Sequence, residues 1–282
     1  MGSMDSFMLR SALAVALVFP YLALAQAPAP PDAVQQAAPP AAEGGASVSA
    51  LLAEADRLYT RRDDPAALAE LKAKLARAEQ LAPKDYDVLW RQARINFWLA
   101  DDPKMKSEEK SKLGKTAWDY GDRATAANPS RVEGWNYAAA GVGNYALGIG
   151  VLTALRQGIE GKFRERIGKA EAIDPKFENG AIPTAWGRFW YELPWPKYSA
   201  ERSEKSLQAA LKLNPDNVRA YVYLADLHAK EDKPAQAVAD LQRALANPPG
   251  RYDAPEERRW QAEARRKLGE LKAARARGSE GG

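Results

Sequence analysis

The chain has 282 residues, 46% hydrophobic and 28% charged, with 41 basic and 37 acidic side chains, one histidine and no cysteine. That mix is globular and long enough to bury a core, but it excludes disulfides, thiolate metal sites, a cysteine nucleophile and lipid attachment through a cysteine. The lone His228 excludes a histidine-rich metal centre, and a net charge of +4 is too evenly made up to call for nucleic acid.

In chain order, residues 1–3 (Met1-Gly2-Ser3, ahead of Met4) read as an expression remnant. Residues 4–25 read as a signal peptide: Arg10 supplies the positive start, 11–24 is a short apolar run, and Ala23-Leu24-Ala25 fits a cleavage site. The expected location is the periplasm; the alternative is a membrane tether formed by the same segment left uncleaved. Residues 26–48, rich in Ala and Pro, cannot bury enough apolar surface to order themselves and read as a flexible tether.

From 49 to 253 apolar residues recur at spacings of three and four, the helical period. Within this stretch Ala-x4-Pro occurs five times: Ala78/Pro83, Ala124/Pro129, Ala170/Pro175, Ala210/Pro215 and Ala244/Pro249. The prolines are 46, 46, 40 and 34 residues apart, and 34 is the tetratricopeptide period. The alanine lets the second helix of a pair approach its neighbours, and the proline ends that helix. The positions seven and three residues before each alanine are expected to pack; Ser203 is the polar departure among them. The fold class predicted is all-α, a tetratricopeptide-like helical-hairpin solenoid of about five irregular, extended repeats. The extra residues of the long units are assigned to longer helices or inserted loops, with 101–112 read as a charged loop. A capping helix is expected at 254–277, its last turns basic, and a loose tail at 278–282.

Two stretches stand out for binding. Residues 134–155 carry no charge and include glycines spaced by seven, Gly141/Gly148 and Gly143/Gly150. Glycine in a helix costs up to about 1 kcal/mol against alanine, so these need a reason. The readings open are a bare surface for close helix packing, the lining of an apolar cavity that also involves Tyr145, and a membrane-inserted hairpin. The second stretch, 186–198, gathers Trp186, Phe189, Trp190, Tyr191, Trp195 and Tyr198 around Arg188. It is read either as core or as an aromatic anchor for a ligand or partner, with Pro194 and Pro196 breaking the helix and holding Trp195 in a turn. Arg188 is read as a cation stacked on rings, or as an anchor for a carboxylate or phosphate. His228 is expected to pack on a helix, and carboxylates such as Glu178 and Glu192 show no partner at a spacing that would shift their ionisation. No catalytic residue, metal ligand or cofactor is assigned.

The segments GKFRERIGKAEAIDP, AWGRFWYELPW and SEKSLQAALKLNPDNVRAYVYLADLH, with an aromatic at Trp135, resemble two families. One is the animal family of regulator of microtubule dynamics proteins. The other is the bacterial T-component family associated with TRAP transporters, exported helical-repeat proteins that act beside a periplasmic solute-binding protein. The resemblance covers roughly half the chain, and Gly187-Arg188 with Leu193-Pro194-Trp195 is its most specific part. It implies an all-α body that binds partners or an apolar molecule and catalyses nothing. The expected partner is a periplasmic solute-binding or envelope protein, with an apolar small molecule or lipid as the alternative. A membrane anchor through cysteine, common among the T-component relatives, is excluded here.

Overall fold

The computed structural model describes residues 47–280; the expected leader, nearly all of the tether and the last two residues lie outside the described residues. The regular structure described is helical throughout. Five helix pairs follow one another: α1 (Val48–Tyr59) with α2 (Pro65–Leu81), and α3 (Tyr86–Ala100) with α4 (Ser107–Ala127). The third pair is α5 (Val132–Ile149) with α7 (Ile159–Ile173), joined through the short α6 (Val151–Arg156). Then come α8 (Ala181–Glu192) with α9 (Ala200–Leu213), and α10 (Val218–Lys230) with α11 (Pro234–Ala244). A last helix, α12 (Ala254–Glu280), packs on α10 and α11.

The starts are written locally. Ser47, Asp64, Asp85, Ser199 and Asn217 each accept a backbone N–H from the first turn, and Pro65 and Pro234 open their helices where no N–H is needed. The stops follow the Ala-x4-Pro pattern. Ala82, Asn128, Asp174 and Asn214 each precede a proline, which pushes them out of the helical region to φ values of −143°, −150°, −147° and −139°. Each still donates its N–H to the repeat alanine four residues back, at 2.9 Å in every case. In the fifth pair Pro248 precedes Pro249 and would clash with the Ala244 carbonyl, so α11 stops at Ala244 itself.

The repeat alanines Ala78, Ala124, Ala170, Ala210 and Ala244 are all buried, as are their helical partners, including Ser203. The Ser203 hydroxyl donates to the Gly187 carbonyl at 2.9 Å, so the polar departure is satisfied inside the α8–α9 contact. A β-carbon on Gly187 would fall 2.5 Å from Leu207 Cγ, which is why this position of α8 is bare.

Two expectations are corrected. The charged loop expected at 101–112 ends at 106: Ser107 to Lys112 form the start of α4. Glu108 and Glu109 suit a helix N-terminus, and Lys110 reaches back to the Ala100 carbonyl at 2.6 Å. The uncharged run 134–155 is not one helix; Gly150, with φ 87°, breaks it between α5 and α6, so Gly150 does not share a helix face with Gly143.

The two ends of the repeat array are joined. Arg62, buried after α1, donates to the Tyr59 carbonyl at 3.0 Å and to Asp253 at 2.6 Å, its guanidinium lying over the Tyr59 and Trp98 rings. Arg258 pairs with Asp63 at 2.6 Å, and Arg259 donates to the Trp98 carbonyl at 2.6 Å. The start of α12 is thereby bonded to the first two pairs, and its Asp253, Glu256 and Glu257 form part of the wall of a half-open cavity on the inner face.

Candidate functional site: the central cavity

That cavity has a volume of about 420 Å³, within the range of about 300–1,000 Å³ usual for small-molecule sites. One part of its wall is apolar: Leu147 and Val151 at the α5–α6 break, Ala154 and Phe163 on α6 and α7, Phe189 on α8 and Leu193 just after it. Gly143 lines the same wall, and a β-carbon there would meet only Phe163, at 3.9 Å. Its bareness leaves room in the cavity.

The charged groups of the lining among the described residues are mostly acidic: eight carboxylates against two guanidinium groups, Arg188 and Arg219. Seven of the eight are paired with a cation or with backbone N–H groups of the protein. Asp101 and Glu256 share Arg219 at 2.7 and 2.9 Å. Asp253 meets Arg62, Glu192 meets Arg188, Asp216 meets Arg251 at 2.8 Å, and Glu160 meets Arg164 at 3.0 Å and also Lys197. Glu257 accepts three backbone N–H groups, from Gly250, Tyr252 and Asp253. The eighth, Glu178, accepts only the Tyr137 hydroxyl and has no cation within ion-pair reach among the described residues. Glu178 is exposed into the cavity; desolvation by the surrounding walls raises its pKa above the ordinary carboxylate value, helped by the charges of Glu256 and Asp253 and opposed by the Tyr137 bond and Arg94. Glu178 and the following Asn179 are both in left-handed backbone conformation (φ 46° and 52°), which costs roughly 1–3 kcal/mol for each such residue.

The residues singled out in the sequence fall into three places. Arg188 and Phe189 line the cavity. Phe189 stacks on Phe163 at 4.8 Å between centroids, and Trp186 and Trp190 extend that aromatic ladder outward, with Arg164 and Arg202 over the Trp190 ring. Arg188 lies between the Tyr191 and Tyr223 rings, at 4.6 and 4.7 Å, and pairs with Asp226 at 2.8 Å as well as Glu192. Its positive charge is spoken for internally, and its pKa is raised further by those partners. Trp195 stands on the turn after α8 at 87% exposure.

Gly141, Gly148 and Tyr145 belong to the α4–α5 contact. A β-carbon on Gly141 would sit 2.3 Å from the Trp118 amide nitrogen, and one on Gly148 2.5 Å from that of Ser111. α4 answers with its own bare positions, Gly114 and Gly121, whose β-carbons would strike the Tyr145 amide nitrogen at 2.5 Å and Ala138 Cα at 2.6 Å. Two helices with small residues at seven-residue spacing thus touch backbone to backbone. The Tyr145 ring packs near Trp118, at 5.9 Å. His228 is buried, its Nδ1 2.6 Å from Asp240, whose carboxyl is pushed up by burial.

Sequence reasoning missed the place of Glu178 in the cavity. Its partner Tyr137 is 41 residues away, beyond any local pattern; the only local sign is the turn-prone Asn179-Gly180. Gly143 stands out only as one of a spaced pair, and nothing in the sequence separates it from Gly141.

A search of solved structures finds a thermophilic TPR protein from Thermus thermophilus. It is 18% identical over 80% of this chain and 98% of its own, with a TM-score of 0.59, a likeness of fold. No curated protein matches the chain. The family model described as regulator of microtubule dynamics protein 1-3 matches residues 51–195, from α1 to the end of the aromatic turn. With half of its length in that match and the helical-repeat architecture throughout, the chain belongs to the regulator of microtubule dynamics protein 1-3 family and is an all-α, TPR-like repeat protein.

Proposed function

We propose that the chain works by binding and without catalysis, holding an apolar small molecule or lipid in the central cavity. The observation that carries this is the cavity's apolar wall, contributed by the glycine-rich α5 on one side and by Phe189 of the aromatic segment on the other. Repeat solenoids usually bind extended partners along an open concave face. Here the start of α12, tied to Arg62, Asp63 and Trp98, narrows that face. A half-open recess of about 420 Å³ suits a small ligand better than a peptide strand.

A second reading, an adaptor for a protein partner, draws on the repeat fold and on the exposed Trp195, a large ring held out on a turn. Both readings are placed in the periplasm, in a transport or envelope assembly, on the leader-like 4–25 and the resemblance to T-components.

Native mass spectrometry of the protein purified without detergent tests the first reading. A co-purifying apolar mass that is lost in Gly143→Leu is the expected result. Retention of the same mass by Gly143→Leu would sink it. The adaptor reading instead expects partner capture that is lost in Trp195→Ala and kept in Gly143→Leu.

A further inference from the structure

The cavity's polar lining is not neutral, and of the two lining carboxylates without an internal cation among the described residues, Glu257 is held by three backbone N–H groups whereas Glu178 has only the Tyr137 hydroxyl. A wall of Leu147, Val151, Phe163 and Phe189 takes hydrocarbon; Glu178 sits in the same recess with a single hydrogen bond, from Tyr137. The guanidinium that acts on it, Arg94, is already committed to Asp56 at 2.7 Å. The two arginines that line the cavity are neutralised by Asp101, Glu256, Glu192 and Asp226, so an anionic head group would find both already paired. An anion brought into this lining meets an excess of carboxylates, whereas a protonated amine meets Glu178. Glu178 is solvent-exposed along the cavity wall, so an ammonium can pair with it there.

We propose that the cavity selects a cationic amphiphile, an apolar body carrying one protonated amine and no phosphate, with Glu178 as the partner of the ammonium. This rests on the cavity reading above and adds the head-group chemistry to it.

Calorimetric titration of the full chain at neutral pH with decylamine, decanol and decanoate separates the two. The expected order is decylamine tightest, decanol at least tenfold weaker, and decanoate weakest. Glu178→Gln keeps an acceptor for Tyr137, and is expected to bring decylamine down to the level of decanol while leaving decanol unchanged. Gly143→Leu is expected to abolish both. Decylamine and decanol binding equally, or decylamine unmoved by Glu178→Gln, would overturn the cation assignment and leave the cavity reading standing. Should neither decylamine nor decanol bind, both are wrong. If Glu178→Gln does not fold, the order of the three probes on the natural chain decides alone.

Discussion

Gly141 and Gly143 stand two residues apart on α5, and alanine should act on them in opposite directions. At Gly141 the added carbon would lie 2.3 Å from the Trp118 nitrogen and 2.8 Å from the Gly114 carbonyl oxygen, both backbone atoms of α4. Ordinary contact begins near 3.4 Å, so the two helices must part by about 1 Å along their most extensive interface. Overpacking of this kind costs about 1–3 kcal/mol, and backbone against backbone belongs at the upper end because no side chain can swing away. Helix propensity returns about 0.5–1 kcal/mol. The net expectation for Gly141→Ala is a loss of about 2 kcal/mol, a fall in Tm of roughly 4–8 °C for a body of this size. At Gly143 the carbon enters open space, so only the propensity term remains and Tm should rise by roughly 1–3 °C. Thermal melts by circular dichroism, with urea midpoints as a check, measure both. Shifts of the same sign and size would refute the claim that α4 and α5 touch through bare backbone on one face while α5 lines a cavity with the other.

Arg62→Met should cost about 1.5–3 kcal/mol, because it removes the charge-assisted hydrogen bond to the half-exposed Asp253 and unties the start of α12; hydrogen exchange should rise first in residues 250–260. Glu178, whose folded pKa is raised, contributes stability that is fully present below its ordinary value of 4.5 and is lost as pH rises through the folded value. Glu178→Gln should therefore melt higher than the natural chain at pH 7, with the gap closing at pH 4. The groups that act on it are Tyr137, Arg94, Glu256 and Asp253, and an unchanged gap would mean they leave its ionisation alone. Trp118→Ala should lose about 3–5 kcal/mol from a buried ring, whereas Trp195→Ala should leave the melting temperature unmoved; equal losses would place Trp195 in the core. Ser203→Ala should cost about 1 kcal/mol through the lost bond to the Gly187 carbonyl, read as a lower urea midpoint at unchanged slope.

Local chemistry determined much of this protein directly. The Ala-x4-Pro spacing located the ends of α2, α4, α7 and α9, because a proline restricts its neighbour without help from the rest of the chain. The buried places seven and three residues before each alanine followed from helical periodicity, and the mismatch at Ser203 was visible before its partner was. What the sequence left open depended on contacts between distant residues. Gly141 and Gly143 look alike as letters; which one meets α4 and which one opens a cavity depends on the rotation of α5 in the stack. The aromatic segment reads as either core or binding surface, and the packed array divides it, with Phe189 on the inner wall, Trp186 and Trp190 in a ladder behind it, and Trp195 in solvent. The joining of the array's ends by Arg62 and Asp253, 191 residues apart, and the isolation of Glu178 exist only once the repeats have curved round. Curvature accumulates from small angles between successive pairs, and no single repeat carries enough information to predict where the ends will meet.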